Sequence, residues 1–91
     1  MNETYYIISV MLSIIIPSYN EPYLQNTIDS LLENAQGEIE IIPVLDGYTP
    51  DVPIKSDSMV KLINLPENRG MRGAINAGLA KARGKFIMKC D

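Results

Sequence analysis

Apolar residues fall in short, nearly unbroken runs that alternate with segments of helical period. Leu12-Ser13-Ile14-Ile15-Ile16 is apolar and rich in β-branched residues, the pattern of a strand covered on both faces of a parallel sheet. Pro17 closes it, because proline cannot donate to a strand ladder. After the polar connection Ser18-Tyr19-Asn20-Glu21-Pro22, the residues Leu24, Ile28, Leu31 and Leu32 recur at helical spacing and predict one apolar helix face. Asn20 or Glu21 is placed to cap this helix, with Pro22 in its first turn and Gly37 as a left-handed terminator. Ile39-Glu40-Ile41-Ile42-Pro43-Val44-Leu45 reads as a second strand, in which Pro43 predicts a bulge or an unpaired side. Val60, Leu62, Ile63 and Leu65 read as a third, ending at Pro66.

The stretch from Asn68 to Asp91 reads as a loop, a helix of small residues, a tight turn at Gly84 and a strand from Phe86 to Cys90. Gly73, Ala74, Ala77, Gly78 and Ala82 give the helix little bulk. A glycine inside a helix costs about 1 kcal/mol relative to alanine, so two of them imply close packing on a neighbour. Asn76 is expected to help hold the helix on the sheet by polar contacts.

The alternation predicts an α/β fold: a mainly parallel open sheet of about four strands with helices on both faces. Residues 11–91 form the domain in this reading. Residues 1–10 are an N-terminal extension or edge strand, with Tyr5-Tyr6-Ile7-Ile8 as the strand candidate. A chain of 91 residues supports one small domain that buries about 60–65% of its unfolded surface.

Composition narrows the functions. A net charge of −3 argues against a nucleic-acid binder. The basic residues nevertheless cluster late, at Arg69, Arg72, Lys81, Arg83, Lys85 and Lys89. They are either solvated helix and strand flanks, or Arg69 or Arg72 meets a phosphate. The chain has no histidine, which removes histidine triads and histidine metal sites. The single cysteine, Cys90, cannot form an internal disulfide and points to a reducing compartment; it reads as a buried strand residue. The apolar run from Tyr5 to Ile16 is too short to span a bilayer and lacks a basic leader. The expected location is cytoplasmic, without a transmembrane segment.

In an open parallel sheet, ligands bind beyond the carboxyl ends of the strands, near a switch in strand order. Those ends carry Ser18-Tyr19-Asn20-Glu21, Asp46-Gly47, Asn68-Arg69-Gly70 and Asp91. Helix amino termini on the same edge favour an anion such as a diphosphate, and the carboxylates suit a hard cation, Mg²⁺ or Mn²⁺. The plain alternative is a set of ordinary turn and cap residues. Two nucleotide motifs are excluded. The run Gly78 to Lys85 has five residues between its glycines, Phe86 in the Ser/Thr position, and the wrong helix-to-strand order for a P-loop. The loop after the first strand lacks the glycines of a dinucleotide fingerprint.

Ile14-Ile15-Ile16-Pro17-Ser18-Tyr19-Asn20-Glu21 resembles the opening of family 2 glycosyltransferases, which have the GT-A, or nucleotide-diphospho-sugar transferase, fold. Val44-Leu45-Asp46-Gly47 resembles their second-strand motif, with Leu45 in place of its first aspartate and Tyr48 where serine is common. Asn68, Gly70, Ala74, Asn76, Gly78, Ala82, Gly84, Phe86, Ile87 and Asp91 keep the family spacing. The resemblance implies that Tyr19 packs on a nucleobase, in a pocket shaped by Pro17, Asn20 and Glu21. An aromatic face suits that task, since stacking is worth about 1–3 kcal/mol per base. Asp46 is expected to hydrogen-bond the base or ribose, and Arg72 is a candidate for the diphosphate. Asp91 matches the first residue of the metal-binding Asp-x-Asp motif, whose cation neutralises the leaving diphosphate.

The resemblance thus implies transfer of a sugar from a UDP-, GDP- or dTDP-linked donor to an acceptor hydroxyl, with metal assistance. The chain stops at Asp91, before the second metal aspartate, the acceptor-binding part and the catalytic base. It therefore reads as a truncated GT-A domain that holds the nucleotide-binding half and is inactive alone, with no catalytic residue in it. The alternative is a non-catalytic truncated module that forms homo-oligomers through an exposed sheet edge. A receiver-like domain fits less well, because its acidic cluster has no match here.

Overall fold

A computed structural model describes residues 11–90. Within them the order is β1 (Leu12–Ser18), α1 (Leu24–Asn34), β2 (Ile39–Asp46), β3 (Ile63–Leu65), α2 (Gly70–Lys81) and β4 (Phe86–Lys89). The expectations for Tyr5 to Ile8 and for Asp91 fall outside the described residues. The four strands form one sheet in the order β3-β2-β1-β4, and every pairing is parallel. The predicted architecture is therefore the observed one.

Side-chain alternation sorts the two faces. Ile14 and Ile16 of β1 and Ile39, Ile41 and Leu45 of β2 pack with Leu24 and Ile28 of α1. Ile15 of β1 and Ile42 and Val44 of β2 pack with Ala74 of α2 on the opposite face. A strand buried on both sides needs apolar residues at both parities, which explains the unbroken runs. Small residues let α2 come close, as expected. A Cβ built on Gly78 would stand 2.6 Å from Cγ2 of Ile15. Asn76 does not help to hold the helix, because it is exposed; Ala74 and Gly78 are the buried residues of α2.

Several local expectations are corrected. The residue capping α1 is Tyr23, not Asn20 or Glu21, and its side chain makes no capping hydrogen bond. Glu21 still serves the helix start, its Oε1 accepting the Tyr23 N–H at 3.0 Å. Pro22 lies in the turn before α1. The helix ends on an extended Ala35, so Gly37, with φ 84°, turns the chain into β2 and does not terminate the helix. The third strand is shorter than its apolar pattern, with Val60 forming an isolated bridge to Ile41 ahead of the three residues of β3. Cys90 is half-buried, not buried, and packs against the α1-side core.

Pro43 sits where its missing N–H costs least. The N–H and C=O of Ile41 both bond toward residues 59–61. Alternation turns Pro43 to that same side, in the gap between the Ile41–Val60 bridge and the Val44–Ile63 pair. β4 forms the other edge. Its residues are all exposed, Phe86, Ile87 and Met88 at 60%, 49% and 41%.

Glu40 is the polar exception inside the sheet, only 2% exposed. Its carboxylate accepts hydrogen bonds from Ser13 Oγ at 2.6 Å, Lys61 Nζ at 2.6 Å and the Arg83 N–H. Ser13 Oγ in turn accepts the Gly84 N–H at 2.7 Å. Burial alone raises the Glu40 pKa, but the Lys61, Ser13 and Arg83 donors and the Lys61 charge outweigh it and hold it at about 2. Because the folded value lies below the ordinary 4.5, the ionised group stabilises the fold above that pH, and the contribution is lost as pH falls toward 2. Glu40→Gln is expected to cost about 2 kcal/mol at pH 7, less than the roughly 3–5 kcal/mol of a fully buried broken pair, since Lys61 keeps water contact. Urea denaturation at pH 7, 4 and 3 checks this: the wild-type advantage over the variant should shrink with acidity.

Candidate functional site

The order β3-β2-β1-β4 places the switch in strand order between β1 and β4, because the chain moves outward from β1 to β3 and then crosses back through α2. Ligands of open parallel sheets bind above such a switch, at the carboxyl ends of the strands. Three connections meet on this edge: β1 to α1, β2 to β3, and β3 to α2.

Pro17 is half-buried within β1, opposite Val44. Tyr19 follows the last β1 residue and is 56% exposed. Asn20 has a left-handed φ of 51°, which turns the chain sharply toward α1. Tyr19 meets Tyr48 from the β2–β3 connection in a T-shaped contact, with ring centroids 6.0 Å apart and planes at 78°. Such pairs contribute about 0.5–1.5 kcal/mol beyond the area they bury. Tyr48 also packs against the α1-side core, while its buried hydroxyl has no hydrogen-bond partner among the described residues. Asn20, Glu21, Pro22, Tyr48, Thr49 and Asp51 line a cleft of about 430 Å³ between the start of α1 and the β2–β3 connection.

Asp46 lies on the other side of this edge and is 4% exposed. Its Oδ1 accepts the Arg69 N–H at 2.7 Å, and its main-chain carbonyl accepts Asn68 Nδ2 at 3.2 Å. Arg69 is the cap residue of α2, so the carboxylate stands at the positive end of that helix. Gly47 makes the approach possible: its φ is 78°, and a Cβ there would strike the backbone of Glu67 and Asn68. Arg72 lies in the first turn of α2 and is exposed. Neither Arg69 nor Arg72 forms an ion pair with a described residue.

The structure thus brings Asn20 and Glu21 together around one cleft and ties Asp46 to the β3–α2 connection, with Tyr19 joined to the cleft wall through Tyr48. Arg72 forms no ion pair with either group. Asp91 lies outside the described residues. Among the described residues no three His, Cys, Asp or Glu side chains are grouped to hold a metal ion. Sequence reasoning missed Tyr48 as a partner of Tyr19 and Asn68 as a clamp on β2. An aromatic directly after the Asp-Gly turn was the available signal for Tyr48.

A parallel sheet in this order, with helices on both faces, defines an open, doubly wound type of α/β domain. Residues 13–91 match the profile of glycosyl transferase family 2, and the chain belongs to that family. It is 41% identical over 85 residues to the uncharacterized glycosyltransferase EpsJ of Bacillus subtilis, covering 85% of this chain and 24% of the relative. It is 40% identical over 88 residues to an uncharacterized glycosyltransferase of Haemophilus influenzae, covering 89% and 35%. Human dolichyl-phosphate beta-glucosyltransferase is 35% identical over 97 residues, covering 88% and 30%. The chain spans about a quarter to a third of the length of these relatives. Among the described residues no helix is long and apolar enough to cross a membrane.

Asp46 shapes the site by holding the β3–α2 connection. Asp46→Ala should destabilise the fold by about 1.5–3 kcal/mol, the worth of a hydrogen bond to a charged group. It should also accelerate hydrogen exchange at the Arg69 amide, measured by NMR, while Asp46→Asn retains part of the protection through its amide oxygen.

Proposed function

We propose that these residues form the donor-nucleotide part of a glycosyltransferase that moves a sugar from a nucleoside-diphosphate sugar to an acceptor hydroxyl. The observation that carries this reading is the exposed Tyr19 ring at the carboxyl edge of the sheet, the edge that also carries the anchored Asp46, in a chain of glycosyl transferase family 2. Tyr19 packs on the base, and Pro17, Asn20 and Glu21 shape its surroundings. Asp46 takes a base or ribose hydrogen bond with the acceptor capacity that Arg69 leaves it, and Arg72 faces the diphosphate. Family 2 enzymes typically use divalent cations, and Asp91 is the residue of this chain assigned to that ion. The 91 residues bind the donor and do not turn it over, because no catalytic base is assigned among them. The setting is cytoplasmic.

Isothermal titration with UDP, GDP and dTDP, in Mn²⁺ and again in EDTA, tests this reading. One of the three should bind with submillimolar affinity in Mn²⁺ and more weakly in EDTA. Tyr19→Ala should weaken it by about tenfold, the loss of a stacking contact worth about 1–3 kcal/mol. No binding by the wild-type chain would overturn the proposal, and sugar transfer by the chain would overturn the inactivity.

A second reading has its own support. β4 exposes Phe86, Ile87 and Met88 and, among the described residues, pairs with β1 on one side only, and an apolar open edge invites another strand. In this reading the chain is a non-catalytic module that self-associates through β4. Sedimentation velocity should then show a dimer that Ile87→Lys returns to a monomer; a wild-type monomer at 100 μM, on the order of a tenth of a millimolar, rejects it.

A further inference from the structure

We propose that Tyr48 is the positioning residue for Tyr19, holding its ring in the pose that receives the nucleobase. The proposal rests on the donor-nucleotide reading above.

The two tyrosines differ in how they are held. Tyr19 lies beyond the paired part of β1, precedes a left-handed residue, and is more than half exposed. Its aromatic contact is with Tyr48. Tyr48 is fixed from two sides. Its ring packs against the core beneath α1, and its backbone follows Gly47, which is pressed against the β3–α2 connection. The anchored ring therefore sets the exposed one. The rings meet edge to face at 78°, and Tyr19 stays more than half exposed, which leaves ring surface for a base. A side chain ordered before binding spares the complex the entropy of ordering it afterwards. The hydroxyl of Tyr48 plays no part in this, since it has no hydrogen-bond partner among the described residues; the ring alone does the work.

The test compares Tyr48→Phe, which keeps the ring, with Tyr48→Leu, which keeps apolar bulk without it. Titrations use whichever of UDP, GDP and dTDP binds the wild type most tightly, and inorganic pyrophosphate as the probe without a base. Tyr48→Leu should weaken the nucleotide about fivefold, ~1 kcal/mol, with pyrophosphate unchanged, while Tyr48→Phe stays within about twofold of wild type. The ring-proton NMR shifts of Tyr19 without ligand should move in the Leu variant and stay in the Phe variant. Urea denaturation of each variant verifies that it is folded, and Tyr48→Met replaces the Leu variant if that one is not. Nucleotide affinity unchanged on loss of the ring overturns the proposal, as does equal loss of nucleotide and pyrophosphate, or a loss in Tyr48→Phe as large as in Tyr48→Leu. A wild type that binds none of the three nucleotides overturns the donor reading itself. The Tyr19 shifts then still report whether the rings are coupled.

Discussion

The structure depends on how β2 holds α2. On the α2-facing parity of β2 stand Glu40, Ile42, Val44 and Asp46, a carboxylate at each end with two apolar residues between. Glu40 accepts the N–H of Arg83, just past the end of α2, and Asp46 accepts the N–H of Arg69, just before its start. The six steps from Glu40 to Asp46 span about 20 Å, and the twelve residues of α2 span about 18 Å, so strand and helix match in length. Between the clamps, Ile42 and Val44 pack on Ala74, and Gly78 lets the helix settle on Ile15. Moving either clamp by one residue would carry its carboxylate to the α1 face.

The clamps differ electrostatically. Asp46 meets the amino end of a helix, where a negative charge is favoured, while Glu40 lies near the carboxyl end, where it is not. The difference explains the retinue of Glu40. Lys61 supplies the opposing charge, Ser13 fills a further acceptor site, and the turn at Gly84 closes on Ser13. A buried carboxylate is tolerable only when its oxygens are satisfied in this way. The amino edge of the sheet thus carries a closed polar network, whereas on the carboxyl edge the exposed Tyr19, an open cleft and the unpaired Arg69 and Arg72 leave groups available to a ligand.

Periodicity and small-residue spacing made the strands, both helices and the close seat of α2 legible in the sequence. They work because burial on two faces dictates residue type at each parity. The positions of the strand ends likewise marked Tyr19, Asp46 and the loop at Asn68 as belonging to one edge. Tertiary partners were not legible. Nothing local in Ile39-Glu40-Ile41 says that a serine from one strand, a lysine from a connection and a turn after α2 converge on one carboxylate. Tyr48 resembled an ordinary turn residue, because its meaning comes from a ring brought in by a different loop. The helix caps failed for a related reason: the turn at Pro22 and Tyr23 delays α1, so Glu21 reaches forward to the chain it was expected to cap directly.

The candidate site is therefore held in two ways. On its α2 side a buried carboxylate, a left-handed glycine and the start of a helix are locked by backbone contacts that permit little adjustment. On its α1 side, Tyr19 is oriented through a side-chain contact with a residue packed on the core. In the proposed reading, a donor that spans both sides would meet Asp46 and the start of α2 at a surface already built, and Tyr19 at a surface held by one aromatic pair. Variation among related chains that alters base preference without disturbing the fold is then expected in the Tyr19 and Tyr48 loops. Asp46 and Gly47 leave no such freedom, because the same atoms that would meet a ligand also fasten α2 to the sheet.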